Sequence, residues 1–506
     1  MPATGDALHR PPIRGARVAR NALLNLAGLG VPLLVALVTL PVMIRGLGAE
    51  RFGVLAIAWM FLTYLSELGF GSTTTRYAAE AIGAGRADEL AGIAWTTAGL
   101  QAAVGAVEGL ALAAVTPWLV GSVLNIPAAL AAEARGCLYL LAVAIPLLGL
   151  GKSFRGLVEA AQRFDLALIV HLPITAGTYV LAAVGAALGW PLPAVFGIIV
   201  AARIATLPGY LIAARRALPG LSLRPAAHRH GLRELSTFAG WVAVSTVVSP
   251  LLVYLDRFMV GVLLSMTAVT FYAAPYEVVA RLVLIPAAIV GALYPAFSQL
   301  SGGQHREHAE TLAARSVTLV VVVLGPILVL LLAGAHDGLT LWLGEEYAAR
   351  SGLALQILAV GVLANAVAHV PFGLLQSMGR PDLPAKLHLI ELPVQLGAAW
   401  ILVSRFGITG AALAWTGRML LDAALLFLVA ARTGVLRRHS LFADRLPTAL
   451  AVLAAAGSAA ILAAAFLAPA ARISAACALA AAAGVVLWRL AVPEADRRRL
   501  AGLLRP

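Results

Sequence analysis

Fourteen stretches of predominantly apolar residues follow one another along the chain, separated by short polar breaks. A hydrocarbon core of about 30 Å requires about 20 residues of helix at about 1.5 Å each. The stretches that meet this length lie at roughly 22–44, 53–71, 92–116, 137–157, 167–189, 192–214, 237–262, 272–298, 312–334, 353–376, 387–404, 407–432, 446–468 and 471–491. The pattern predicts an all-α polytopic membrane protein of about 14 transmembrane helices. The longest break, at 215–236, has about twenty residues and no alternating strand pattern, so no catalytic domain fits between the helices.

A faint internal repeat organises the stretches. Pro32-Leu33-Leu34-Val35 returns as Pro250-Leu251-Leu252-Val253, and Phe52 and Phe271 follow the two prolines at nearly equal distance. Arg203 in the sixth stretch is echoed by Arg418 in the twelfth, each about eleven residues into its helix. Two six-helix lobes related by an axis along the membrane normal are predicted, one of the arrangements that transporters use around a central cavity. The division is a basic N-terminus at 1–20, an N-lobe at 21–215, a linker at 216–236, a C-lobe at 237–432, a hairpin at 433–491 and a basic tail at 492–506. The hairpin is rich in Ala and Leu and reads as a peripheral scaffold or a surface for a lipid tail.

Composition agrees and removes other classes. The chain is 61% hydrophobic and 12% charged with mean hydropathy +0.91, far from a soluble domain. Cys137 and Cys477 are the only cysteines, so neither a disulfide framework nor a metal-ligand cluster is expected. There is no Gly-rich phosphate loop and no His-Glu-x-x-His, so no catalytic residues, metal or organic cofactor are expected. The net charge of +13 invites a nucleic-acid reading, but its distribution argues otherwise. Of the 37 Lys and Arg, 27 fall in breaks or the adjoining ends of stretches on the side of the N-terminus and 6 on the opposite side. This is the positive-inside asymmetry, and with an even number of spans it places both termini in the cytoplasm. The stretch from Ala22 to Ile44 is too long for a signal h-region and reads as a retained first helix.

One set of motifs carries a resemblance. Asn21 to Asn25, Leu40-Pro41, Leu47-Gly48, Glu50-Arg51-Phe52-Gly53, Trp59, and Leu68-Gly69-Phe70-Gly71 through Arg76 and Glu80 resemble the start of bacterial polysaccharide flippases of the Wzx kind. These share a superfamily with the MATE drug exporters and the lipid II flippases. Tyr254-Leu255-Asp256-Arg257 with Tyr272 and Pro275, Tyr294-Pro295, Gly379-Arg380-Pro381, Phe406-Gly407-Ile408 and Gly410-Ala411-Ala412 look like the same family. The resemblance covers most of residues 20–432. Glu67 departs from it, standing where the family often has Asp. What the resemblance implies is a flippase that moves a polyprenyl-diphosphate-linked oligosaccharide from the cytoplasmic to the periplasmic leaflet of the bacterial inner membrane by alternating access. The setting would be O-antigen or exopolysaccharide biosynthesis, with polysaccharide polymerase or ligase partners and a coupling ion, H+ or Na+, left open. A MATE-like multidrug exporter is the alternative, although it would be expected to rely on acidic cavity residues. A membrane glycosyltransferase or polymerase would be expected to carry a large outer loop with carboxylates, and the outer breaks are short.

A charge at mid-bilayer costs about 2.5 to 3.5 kcal/mol on insertion scales, so ionisable residues inside the stretches are candidates for function. Asp256 and Arg257 near the end of the seventh stretch should lie level with Glu277 and Arg281 near the start of the eighth. Glu277 and Arg281 are four apart and can pair on one helix face. The guanidinium forks suit a diphosphate or acidic sugar, or else the set is a buried ion pair holding two helices together. Arg418 and Asp422 repeat the spacing, whereas Arg203 has no carboxylate within four residues and must face a cavity or meet another helix. If the repeat holds, Arg203 and Arg418 face each other across the lobe interface. Glu108, Glu391, Asn365 and His369 are isolated polar residues that either carry protons or hydrogen-bond between helices. Glu67, Arg76 and Glu80 lie near the cytoplasmic mouth, where they greet a headgroup or merely end a helix. Interior prolines in many stretches predict kinks.

Overall fold

The computed structural model describes residues 15–67, 71–86, 88–221, 252–300, 306–433, 436, 445–494 and 497. Much of the seventh stretch and most of the 216–236 linker and of both basic termini lie outside these residues. The elements are α1 (Gly15–Glu67), α2 (Gly71–Gly83), α3 (Glu89–Trp118), α4 (Ala131–Ala160), α5 (Phe164–Ala187), α6 (Leu192–Ile204) and α7 (Thr206–Ala217). They continue as α8 (252–263), α9 (Met266–Leu282), α10 (Leu284–Leu300), α11 (Arg306–Leu343), α12 (Glu345–Ser377) and α13 (Asp382–Arg432). Two further helices, α14 (Leu446–Phe466) and α15 (Pro469–Ala491), complete the order, and no strand occurs among the described residues.

Among the described residues eleven helices are long and apolar enough to cross a membrane, fewer than the fourteen stretches, and two causes account for the difference. First, α1 and α13 contain 53 and 51 residues, about twice what a bilayer needs, and each is interrupted at a positive-φ glycine, Gly48 and Gly407. At Gly407 the chain doubles back, since a Cβ on Gly410 would stand 1.9 Å from the Leu402 carbonyl oxygen. Second, the seventh stretch is described only from its 252–263 part. The helix of the eighth stretch, α9, starts at Met266, six residues before the predicted 272, with Ser265 as N-cap accepting from the Ala268 amide. Its first turns are buried against α1 rather than in lipid, so hydropathy underestimates it.

Two predicted single helices are broken. The breaks between α6 and α7, at Ala205, and between α9 and α10, at Val283, each fall three residues before a proline, Pro208 and Pro286. A proline removes a backbone donor and its ring crowds the carbonyl four residues earlier, which ends the preceding helix. Each break leaves an arginine, Arg203 or Arg281, in the last turn of the half-helix. The exposed carbonyls there favour a cation.

The buried core has a directional shape. Towards the Gly48 end, opposite the N-terminus, one apolar cluster runs through both lobes, from Leu40, Phe52 and Leu55 to Phe271, Leu355 and Trp415. Towards the other end it divides into an N-lobe cluster around Phe154 and Tyr210 and a C-lobe cluster around Phe297 and Leu374. Polar contacts close the seam where the cores join. The Thr270 hydroxyl donates to the Ala49 carbonyl at 2.6 Å, Asn125 donates through its side chain to the Val262 carbonyl at 2.8 Å, and the Trp342 indole donates to the Leu37 carbonyl at 2.6 Å. A Cβ on Gly53 would lie 1.9 Å from the Met266 carbonyl oxygen, so the two lobes touch backbone to backbone. The hairpin α14–α15 packs along α11, and Arg472 pairs with Asp337 at 3.1 Å.

Candidate functional site

Below the seam a chain of charged and aromatic side chains crosses from one lobe to the other. Arg257 of α8 donates to Glu277 Oε1 at 3.1 Å, and Arg281 of α9 donates to Glu277 Oε2 at 3.1 Å. One carboxylate therefore holds two guanidinium groups. Arg281 also donates to the Tyr179 hydroxyl of α5 at 2.7 Å, and the Tyr179 ring lies 4.9 Å from that of Trp59 on α1. The Arg257 guanidinium stands 4.2 Å over the Tyr276 ring and 6.0 Å from that of Tyr254, a cation–π cradle that fixes its direction. Asp256 is fully buried and accepts from the Tyr272 hydroxyl. Arg203, at the broken end of α6, lies close enough to Tyr179 and His171 to act electrostatically on both.

The arrangement brings Arg203, Asp256, Arg257, Glu277 and Arg281 to one zone between the lobes. Three fixed positive charges meet two carboxylates there, and the excess is positive. Arg257 is 7% exposed while Glu277 and Arg281 keep 27% and 21% of their side chains open, so the ion chain has a dry end and an accessible end. Such a site can exchange the carboxylate for another doubly accepting anion, since a guanidinium presents paired donors.

The other candidates lie elsewhere. Arg418 and Asp422 line a cavity of about 180 Å³ within the C-lobe with Asn365, His369 and His388, among side chains other than those near Arg203. Asn365 donates to the Met419 sulfur at 3.0 Å, and His369 Nδ1 lies 2.8 Å from the Asn365 carbonyl. Glu391, isolated in the sequence, is 1% exposed and lies beside His388 and Asp422. Glu108 of α3 has Tyr64 and Lys152 as electrostatic neighbours. Arg76 stands 5.7 Å over the Tyr77 ring on the short α2, which also carries Glu80. Glu67 ends α1, and its side chain lies outside the described residues.

Sequence reasoning missed Tyr179 and His388. Tyr179 left no signal, because an aromatic residue in an apolar helix is ordinary packing. His388 was legible as a second ionisable residue one turn before Glu391.

A bundle of long apolar helices in two lobes, sealed at one end and carrying a charged zone between them, defines a polytopic membrane transporter fold. The chain belongs to the polysaccharide biosynthesis protein family, whose model matches residues 18–301, and a MatE model matches residues 242–401. It is 28% identical over 418 residues to a Shigella flexneri protein named "Putative O-antigen transporter", covering 81% of this chain and 96% of that one. It is also 27% identical over 183 residues to the "Probable low-salt glycan biosynthesis flippase Agl15" of Haloferax volcanii, covering 36% of this chain and 38% of that one. Its fold is similar to the solved structure "Lipid II flippase MurJ, inward closed conformation", with TM-score 0.69, 12% identity, and coverage of 93% of this chain and 99% of that one. The resemblance to Wzx-like flippases drawn from the motifs is borne out.

Proposed function

We propose that this protein moves a polyprenyl-diphosphate-linked oligosaccharide across the bacterial inner membrane, from the cytoplasmic to the periplasmic leaflet, without transforming it. The observation that carries this reading is the placement of Arg257 and Arg281 on a single carboxylate, Glu277, between the lobes. A diphosphate offers the same forks more charge and more acceptor oxygens, so it competes with Glu277 for them. Arg203 at its broken helix end adds a third cation beside Tyr179. An exporter of organic cations is less well served by a zone with this positive excess.

The positive-inside charge pattern supports both termini being cytoplasmic, which makes the sealed end periplasmic and the divided end cytoplasmic. The headgroup then enters between the two core clusters from the cytoplasm. Release follows when the seam at Thr270, Asn125 and Gly53 opens and the cytoplasmic ends approach. The prenyl tail stays in lipid beside the lobes. Polymerase or ligase partners would receive the product on the far side.

Proteoliposomes carrying a polyprenyl-diphosphate oligosaccharide test the reading, with an external glycosidase reporting exposure and no ATP present. Protein-dependent loss of protection is expected, and Arg257→Ala or Arg281→Ala should reduce it at least tenfold with membrane abundance unchanged. Wild-type rates in both variants, or efflux of small organic cations in place of glycan movement, would overturn it.

A further inference from the structure

A second polar centre lies inside the C-lobe, away from the ion chain between the lobes. Because α13 doubles back at Gly407, its first half sets His388 and Glu391 against Arg418 and Asp422 of its second half. Ligating atoms of His388, Glu391 and Asp422 lie within 4.8 Å of one another, and His388 Nε2 is 3.6 Å from Asp422 Oδ1. Glu391 and Asp422 are 1% and 5% exposed. Among the described residues, neither Glu391 oxygen, nor Asp422 Oδ1, nor Arg418 Nε or Nη1 meets a hydrogen-bond partner. So many unsatisfied buried polar atoms at one point are costly unless something binds there.

Charge counting identifies the ligand. Two carboxylates and one guanidinium leave the set with one uncompensated negative charge while His388 is neutral. Arg418 cannot give up its proton, so it is a fixed countercharge. A single proton shared among His388, Glu391 and Asp422 brings the centre to zero and supplies a donor to orphaned oxygens. A divalent metal ion would leave it positive beside a guanidinium. Sodium prefers an all-oxygen shell, and one arm here is an imidazole nitrogen.

The surroundings add no competing charge. From α12 the cavity receives Asn365 and His369, whose ring nitrogen is engaged by the Asn365 carbonyl. From α8 it receives Leu252 and Val253; next on that helix Tyr254 lies beside the Arg257 guanidinium, and the first carboxylate, Asp256, is held by the Tyr272 hydroxyl. Lys386, at the start of α13, pairs with Asp382 at 3.1 Å. We propose that His388, Glu391 and Asp422 form a one-proton binding site, with Arg418 as its countercharge, joining the two halves of α13. Loss of the proton sets two buried carboxylates against each other across the hairpin and loosens it.

The test uses the full-length protein in detergent without substrate, so its outcome is independent of the glycan reading. Infrared difference spectra are recorded through a pH titration. Wild type is expected to show a buried-carboxyl band that disappears in a one-proton step, unchanged by added sodium or zinc. Glu391→Gln should lose that band while retaining its helical circular dichroism and elution volume. Should that variant not fold, His388→Gln decides, with a displaced titration midpoint expected. A band absent from wild type, retained in Glu391→Gln, unmoved in His388→Gln, or displaced by either metal ion overturns the proposal.

Discussion

Tyr179 ties the lobes together through one hydroxyl, which accepts from Arg281 while its ring packs on Trp59. A hydrogen bond to a charged group contributes about 1.5 to 3 kcal/mol, so Tyr179→Phe should shift a two-state opening of the seam by roughly tenfold or more. Thiol labelling of a cysteine placed at Asn125 measures this, and an unchanged labelling rate would count against the phenol as a tie. Arg281→Lys should impair transport less than Arg281→Ala in the same assay, since Arg281 reaches both Glu277 and Tyr179 from a single nitrogen, Nη2, and an ammonium also carries several donors on one atom. The charged members of this zone were legible in the sequence because charge inside a membrane is expensive and therefore conspicuous. Their partners were not, because Tyr179, Trp59 and Tyr276 cost nothing in an apolar helix, and pairing across the lobes depends on a contact that no local spacing encodes.

At the scale of helices, the doubled α13 rests on one glycine-to-carbonyl approach. Gly410→Ala would drive a methyl into the Leu402 carbonyl, whereas a Cβ on Gly417, seven residues on, would meet nothing within 4 Å. Overpacking of this kind costs about 1 to 3 kcal/mol, so Gly410→Ala should lower the thermal unfolding midpoint in detergent while Gly417→Ala leaves it unchanged. Equal midpoints would show that the reversal is not sterically tight. Apolar length made the helices readable in sequence, and Pro208 and Pro286 announced irregularity near Arg203 and Arg281. The start of α9 was read six residues late, because its first turns are covered by the other lobe and need not be as apolar as lipid-facing turns.

Across the whole molecule, a core joined at one end and divided at the other describes a state closed towards the Gly48 side. A disulfide between Asn125→Cys and Val262→Cys, in a background with Cys477 replaced by Ser, should trap that state. Flipping should stop on oxidation and return on reduction, and persistence in the oxidised protein would mean that the seam need not open. Two lobes were foreseeable from the faint repeat, but their joining was not, since it depends on Gly53 meeting Met266 and on Asn125 reaching Val262. That backbone-to-backbone closure also bears on energetics outside the transport cycle. A membrane potential of 100 mV drives each elementary charge with about 2.3 kcal/mol, and a file of water between the lobes would let that energy drain away continuously. A glycine pressed on a carbonyl, with no room for a side chain between them, closes that path at this point, and a closure of this kind is what lets a membrane hold many idle copies without being discharged through them.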